Sequence, residues 1–161
     1  MFVLVVGAGR VGSAVATQAL RQGHTVSVLD EDPLSHERLD VELGKGWEEA
    51  GGRFTIGTAL EMDALVEAGI EQAEVFIAST NGDNTNLVVS QIAHLRFEVP
   101  RVIARVLDPR RAAWYREQGL HTICPTQIAI EQLQQAALSD AGPDALQDSG
   151  VRQIRGASWD G

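Results

Sequence analysis

The chain has 161 residues, 44% of them hydrophobic, which is enough for one domain with a real core and too few for two full-sized ones. Its formal net charge is −9 and Lys45 is its single lysine, so its surface repels a phosphate backbone and nucleic-acid binding is not expected. No stretch reaches the roughly 18–20 apolar residues that a bilayer crossing needs, and no signal peptide is read ahead of the first strand. The expectation is a cytoplasmic protein without direct membrane insertion.

The elements follow in chain order. "MFVLVVG" is a continuous apolar run, as suits a strand buried on both faces. A glycine turn then opens a helix from about Val11 to Gln22, and Gly23 stops it. "HTVSVLD" is the second strand. Residues 32–52 are helical in part, with Gly44 and Gly46 weakening the later turns. "RFTIG" reads as strand three, and "ALEMDALVEAGI" as a short helix ended by Gly69. "AEVFIAST" is strand four, "NGDN" a turn, and "TNLVVSQIAHLRFE" a helix. "PRVIARVLD" is strand five, and "PRRAAWYREQGL" a helix with Pro109 near its start. "HTICP" is a short sixth strand in which the lone cysteine, Cys124, reads as a small buried hydrophobe. "TQIAIEQLQQAALSD" is the last helix, and residues 139–161 lose periodicity and read as a polar tail or weak helix, docked through Trp159 if at all.

Six βα units without repeat or linker imply a doubly wound parallel sheet with helices on both faces. Right-handed crossovers and a glycine turn after strand one favour the Rossmann order 3-2-1-4-5-6. The expected domain is residues 1–138.

That turn is Gly7-x-Gly9-x-x-Gly12. It follows an apolar strand and opens a helix, and Asp30 ends strand two 18 residues past Gly12. Gly7 permits the tight turn, Gly9 lets the backbone approach a pyrophosphate, and Gly12 lets the helix pack close to the sheet. Free amides at the helix start face the phosphates, so Ala8, Arg10 and Val11 join the candidate site. Asp30 accepts from ribose hydroxyls, and Glu31 lies beside it. Because Glu31 and Asp32 offer no arginine for a 2′-phosphate, NADP is disfavoured. Two more loops share this edge. Gly57, Thr58 and Ala59 line the adenine end, and Ser79, Thr80 and Asn81 reach the ribose or phosphates. A capped helix start explains the second loop equally well.

Catalytic machinery is harder to find. Tyr115 is the single tyrosine, and the position four residues on is Gly119 rather than lysine, so a short-chain dehydrogenase pair is missing. His24, His36, His94 and His121 show no metal-ligand spacing and read as structural or solvent-facing, and no metal is predicted. A nucleophile elbow and a Walker lysine are also missing.

In order, "VVGAGRVGSAVA", "VLDEDP", "ALVEAGIEQAEVFIASTNGDNTNL" and "PRVIARVLDPRRAAWYREQGLHTICP" resemble the N-terminal nucleotide-binding domain of potassium-transport regulators, the TrkA-N, KTN or RCK N-lobe type, over residues 1–138. The resemblance implies binding of NAD(H) or of ATP, ADP or AMP. It also implies a homodimer or higher ring and a shape change passed to a membrane-embedded cation channel or transporter. It matches Arg10 to an arginine that approaches a terminal phosphate in some relatives, including one in a neighbouring subunit. Ser79 matches the small residue facing the nucleotide, and Arg105 a basic residue on strand five for which a partner such as Asp83 or Asp108 is the alternative. Thr58 stands where the family more often has an acid, and Thr126 where some relatives have a cation-binding glutamate, so no metal is implied there. The helix near 126–138 resembles the crossover helix of such dimers. The second lobe of full-length relatives is not read in this chain, which fits a single-lobe regulator or a longer protein cut at a domain boundary. Against the regulator stand an NAD-dependent oxidoreductase with its substrate site between subunits, and a nucleotide-independent assembly module.

Overall fold

In the computed structural model of the protein, residues 1–138 are described; the expected tail, with Trp159, lies outside them. Six strands alternate with six helices. The strands are β1 (Phe2–Val6), β2 (Thr25–Asp30), β3 (Arg53–Ile56), β4 (Val75–Ala78), β5 (Arg101–Arg105) and β6 (His121–Ile123). The helices are α1 (Arg10–Arg21), α2 (Ser35–Leu43), α3 (Met62–Glu67), α4 (Asp83–Leu95), α5 (Pro109–Glu117) and α6 (Pro125–Leu138). Every strand pair is parallel and the order is 3-2-1-4-5-6, as the alternation and the first glycine turn predict.

The chain forms two compact units, Met1–Thr126 and Gln127 onward. The first holds the sheet and α1 to α5. Successive strand residues point to opposite faces, so each strand feeds two cores. Leu4, Val6, Leu29, Phe76, Ala78 and Ala104 pack with Leu65 of α3, Leu87 and Val89 of α4 and Ala112 of α5. Val3, Val5, Val26 and Val28 pack with Ala16 of α1, Leu39 of α2 and Trp47. Of the second unit, the described part is the run of α6 from Gln127 to Leu138. None of its residues is buried, and Ile128, Leu133 and Leu138 are more than half exposed.

Between α2 and β3 the structure departs from the expectation of a long, weak helix. α2 ends at Gly44, whose φ of 78° no side-chain-bearing residue adopts cheaply. The chain then turns inward and buries Trp47 completely. Its indole N–H donates to the Arg53 carbonyl at 3.0 Å, and its backbone N–H to Asp40 Oδ1 at 2.7 Å. Gly52 makes the room, because a Cβ there would run into the indole ring. Outside this plug, His36 reaches both Glu48 oxygens at 2.8 Å, lies 3.5 Å from Asp40 Oδ2, and meets Phe54 edge-on at 5.2 Å. Cys124 is buried, and its Sγ donates to the Leu107 carbonyl at 3.5 Å.

Register brings the site together. Val6 stands level with Leu29 on one side and Ala78 on the other. The next residues continue the ladder, with Gly7 N donating to Leu29 O and Ser79 N to Val6 O, both at 2.8 Å. Gly7, Asp30 and Ser79 therefore leave the sheet side by side at its carboxyl edge, where the order reverses and ligands bind in open α/β sheets.

Candidate nucleotide site

The three loops at that edge enclose a cleft of about 430 Å³, within the usual range for small-molecule sites. Of the sequence-derived site residues, Gly7, Gly9, Asp30, Glu31, Gly57, Thr58, Ala59, Ser79, Thr80 and Asn81 line it. Ala8, Arg10, Val11, Gly12 and Arg105 do not. Gly12 and Ala8 are buried behind the loop, and Arg10 and Val11 are exposed at the start of α1.

The three glycines meet different surroundings. Gly7 has φ +94°, and a Cβ there would lie 2.7 Å from Thr80 N. A Cβ on Gly12 would be driven into the Gly7 carbonyl and to 2.6 Å from Ser79 Oγ. Gly9 is the opposite case, with nothing within 4 Å of its ideal Cβ position. The protein itself therefore makes no steric demand for glycine at position 9, and the gap opens onto the cleft. Gly9 is also the N-cap of α1, where no side chain caps the first amides. An uncapped helix N-terminus beside an empty approach suits a phosphate on both counts.

Around this loop the side chains act as braces. Asp30 Oδ2 accepts the Ala8 N–H at 2.5 Å, and its Oδ1 accepts the Asp32 N–H at 2.9 Å. Ser79 Oγ is buried and donates to the carbonyls of Gly7, at 2.9 Å, and Val6, at 3.2 Å. Arg38 comes from α2, where its Nη1 donates to the Ala8 carbonyl at 2.8 Å and to Ser35 Oγ at 3.4 Å. The Ala8 peptide is thus held at both ends, by an acid on its N–H and a guanidinium on its C=O.

Arg38 and Ser35 line the cleft beside Asp30, Glu31 and Asp32, and sequence reasoning missed both. The argument against a 2′-phosphate rested on the absence of an arginine directly after Asp30, and the fold supplies one eight residues later. The available signal was helical phase: Ser35 and Leu39 are the buried residues of α2, so Arg38 lies on the inward side of the same short helix. Leu60, Gly82 and Thr85 complete the rim beyond the predicted loops.

The lip after β4 is built differently. Asn86 is fully buried, and its Oδ1 accepts the N–H and the hydroxyl of Thr80, at 2.9 and 2.7 Å. Its Nδ2 donates to the carbonyls of Thr80 and Arg105, both at 2.9 Å. Arg105 Nη2 also donates to the Thr80 carbonyl at 2.9 Å, so this arginine touches the loop from behind. Its Nε is buried without a hydrogen-bond partner. Asp83 accepts the N–H groups of Leu107, at 2.7 Å, and Asp108, at 3.0 Å, which ties this loop to the start of α5.

A doubly wound sheet, a glycine-rich turn onto an uncapped helix and an acid at the end of β2 define a nucleotide-binding domain of Rossmann type. The TrkA-N domain model matches residues 3–126. The chain belongs to the TrkA-N domain family. It is 41% identical over 133 residues to the Trk system potassium uptake protein TrkA of Streptomyces coelicolor, a match covering 83% of this chain and 56% of that protein. The chain thus spans little more than half the length of this relative. Among solved structures, Shewanella denitrificans Kef CTD in its AMP-bound form has a TM-score of 0.68 at 23% identity, covering 92% of this chain and 84% of that one. GsuK bound to ADP has a TM-score of 0.67 at 20% identity, covering 83% and 33%, and the GsuK channel bound to NAD one of 0.60 at 18%, covering 77% and 21%. At these identities the likeness is one of fold. No described helix is long and apolar enough to cross a membrane.

Proposed function

We propose that the chain is a cytoplasmic nucleotide-sensing regulatory domain of a potassium or other cation transport system, binding NAD(H) or an adenine nucleotide such as ATP, ADP or AMP. The carrying observation is the gap at Gly9, a position where the protein leaves out a Cβ that only a ligand would meet. Family membership and the printed names of the relatives support the transport role, and the AMP-, ADP- and NAD-bound neighbours support the ligand class.

In this reading Gly7, Gly9 and the first amides of α1, those of Arg10, Val11 and Gly12, meet the phosphates. Asp30 and Glu31 meet the ribose, and Gly57, Thr58 and Ala59 the adenine end. Ser79, Thr80 and Asn81 form the opposite wall. The Arg10 side chain points outward, where it meets a terminal phosphate or a nucleotide held by a second copy. Arg105 acts on the ligand through Thr80. Three carboxylates on one rim weigh against NADP on charge alone.

The signal leaves the domain through an oligomer, a homodimer or larger ring, and reaches a membrane-embedded channel or transporter. The exposed apolar residues of α6 support pairing with a second copy. A nucleotide biases such an assembly only if it binds two arrangements with different affinity. No general base or second-substrate site accompanies the cleft residues, which supports a regulator over an oxidoreductase. The test is mass spectrometry of co-purifying nucleotide together with calorimetry of the stripped protein. Micromolar binding of NADH, ADP or AMP without turnover is expected. Failure to bind any of them, or steady oxidation of NADH with a substrate panel, would sink the proposal.

A further inference from the structure

The charges around the cleft are unevenly used. Asp30, Glu31, Asp32 and Arg38 all line it, and Arg38 is the one cation among the described lining residues. Three acids surround one guanidinium, yet Arg38 makes no ion pair among the described residues. Its hydrogen bonds run from Nη1 alone, to the Ala8 carbonyl and Ser35 Oγ, which leaves the other donors of the fork uncommitted. Asp30, in contrast, has both oxygens engaged by backbone N–H groups, which offset part of its negative charge.

We infer that Arg38, with Ser35, reads the 2′ position of the adenosine ribose and gives the cleft a subsite for a 2′-phosphate. The inference rests on the proposed nucleotide site and deepens it. A guanidinium held at one corner keeps its planar edge in register for bidentate contact with phosphate oxygens, which an ammonium cannot reproduce. Ser35 is buried and its hydroxyl lies against the same guanidinium, so it adds a neutral donor where a fourth charge would repel. In doubly wound folds an acid at the end of β2 selects a free 2′-hydroxyl, and an arginine nearby receives a 2′-phosphate. This cleft holds both, with the acid partly satisfied and the arginine partly free. Its balance lies closer to even than the order Asp30-Glu31-Asp32 implies.

The experiment is calorimetry of the whole chain with two probes, 5′-AMP and adenosine 2′,5′-bisphosphate, which differ only by the phosphate in question. The wild type is expected to bind the bisphosphate within about tenfold of 5′-AMP. Arg38→Ala should shift that ratio against the bisphosphate by at least tenfold, and Arg38→Lys should shift it in the same direction by less. The ratio matters because loss of the Ala8 brace alone weakens both probes equally. An unchanged ratio in both variants, or a wild type that takes 5′-AMP and refuses the bisphosphate by more than about a hundredfold, overturns the inference and leaves the nucleotide site standing. A wild type that binds neither probe nor NADH or ADP overturns both.

Discussion

The two lips of the cleft face each other across the end of β1 and spend their polar groups in opposite ways. On the Gly7–Gly12 lip, the helix begins at Gly9 with no capping side chain, and its first amides and the gap above Gly9 are left for a ligand. On the Thr80 lip, the N–H, carbonyl and hydroxyl of Thr80 are all taken by Asn86 and Arg105. One lip is an unfinished surface that a phosphate completes, and the other is a finished wall. A site that senses a ligand needs both, since an open donor set discriminates only if the wall opposite does not move to meet it.

The largest effect is therefore expected where the wall is knotted. Asn86→Ala removes four hydrogen bonds from a buried position and leaves backbone groups of Thr80 without their partners. At about 1–3 kcal/mol per buried unsatisfied group, the loss should be ~3 kcal/mol or more. For a chain of this size that lowers Tm by about 6–12 °C, measured by calorimetric or CD melting. A drop under 2 °C would mean that the Thr80 lip is no more rigid than its partner.

The open lip should respond in ligand binding instead. Gly9→Ala adds a methyl where nothing lies within 4 Å, so Tm should stay within about 1 °C. Nucleotide affinity should fall at least a hundredfold, because the same methyl stands in the path of the pyrophosphate. Gly12→Ala, three residues on, should reverse the pattern. Its methyl meets the Gly7 carbonyl and Ser79 Oγ inside the protein, at a cost of about 1–3 kcal/mol in stability. Melting and calorimetry on the pair separate the two roles of glycine in one motif. Equal melting temperatures for both variants would remove that distinction.

Much of this was legible in the residues. The strand order followed from alternation, and Gly7, Gly9, Gly12 and Asp30 from a motif whose parts are close in sequence. What escaped depends on partners that sequence does not align. "GKGWEEAGG" reads as a polar loop, and the burial of Trp47 depends on Gly52 lacking a Cβ on the far side of a turn. Arg38 enters the cleft because α2 is short and its phase points residues 35, 38 and 39 inward. "NGDNTN" reads as a capped helix start, yet α4 begins at Asp83 with Gly82 as its N-cap. Asp83 caps the neighbouring loop, and Asn86 turns inward to hold Thr80. In each case a local propensity was correct for the residue type and a tertiary partner changed its use.

The smallest expected effect concerns Arg105, and it decides whether the wall touches the nucleotide or only supports what does. Its guanidinium lies behind Thr80, donating to that carbonyl from Nη2, and it does not line the cleft. Its Nε is buried without a partner, so part of this side chain is desolvated for no hydrogen bond in return. Arg105→Lys keeps a charged donor for Thr80 and removes the orphaned N–H. The two changes offset, and stability should shift by less than about 1 kcal/mol. Nucleotide affinity should stay within about threefold of wild type, because the lysine can still hold the loop that faces the ligand. A tenfold loss of affinity at unchanged Tm would show instead that the planar fork itself reaches a phosphate. The Thr80 lip would then be a second reading surface, and the asymmetry between the two lips would be a property of the free protein alone.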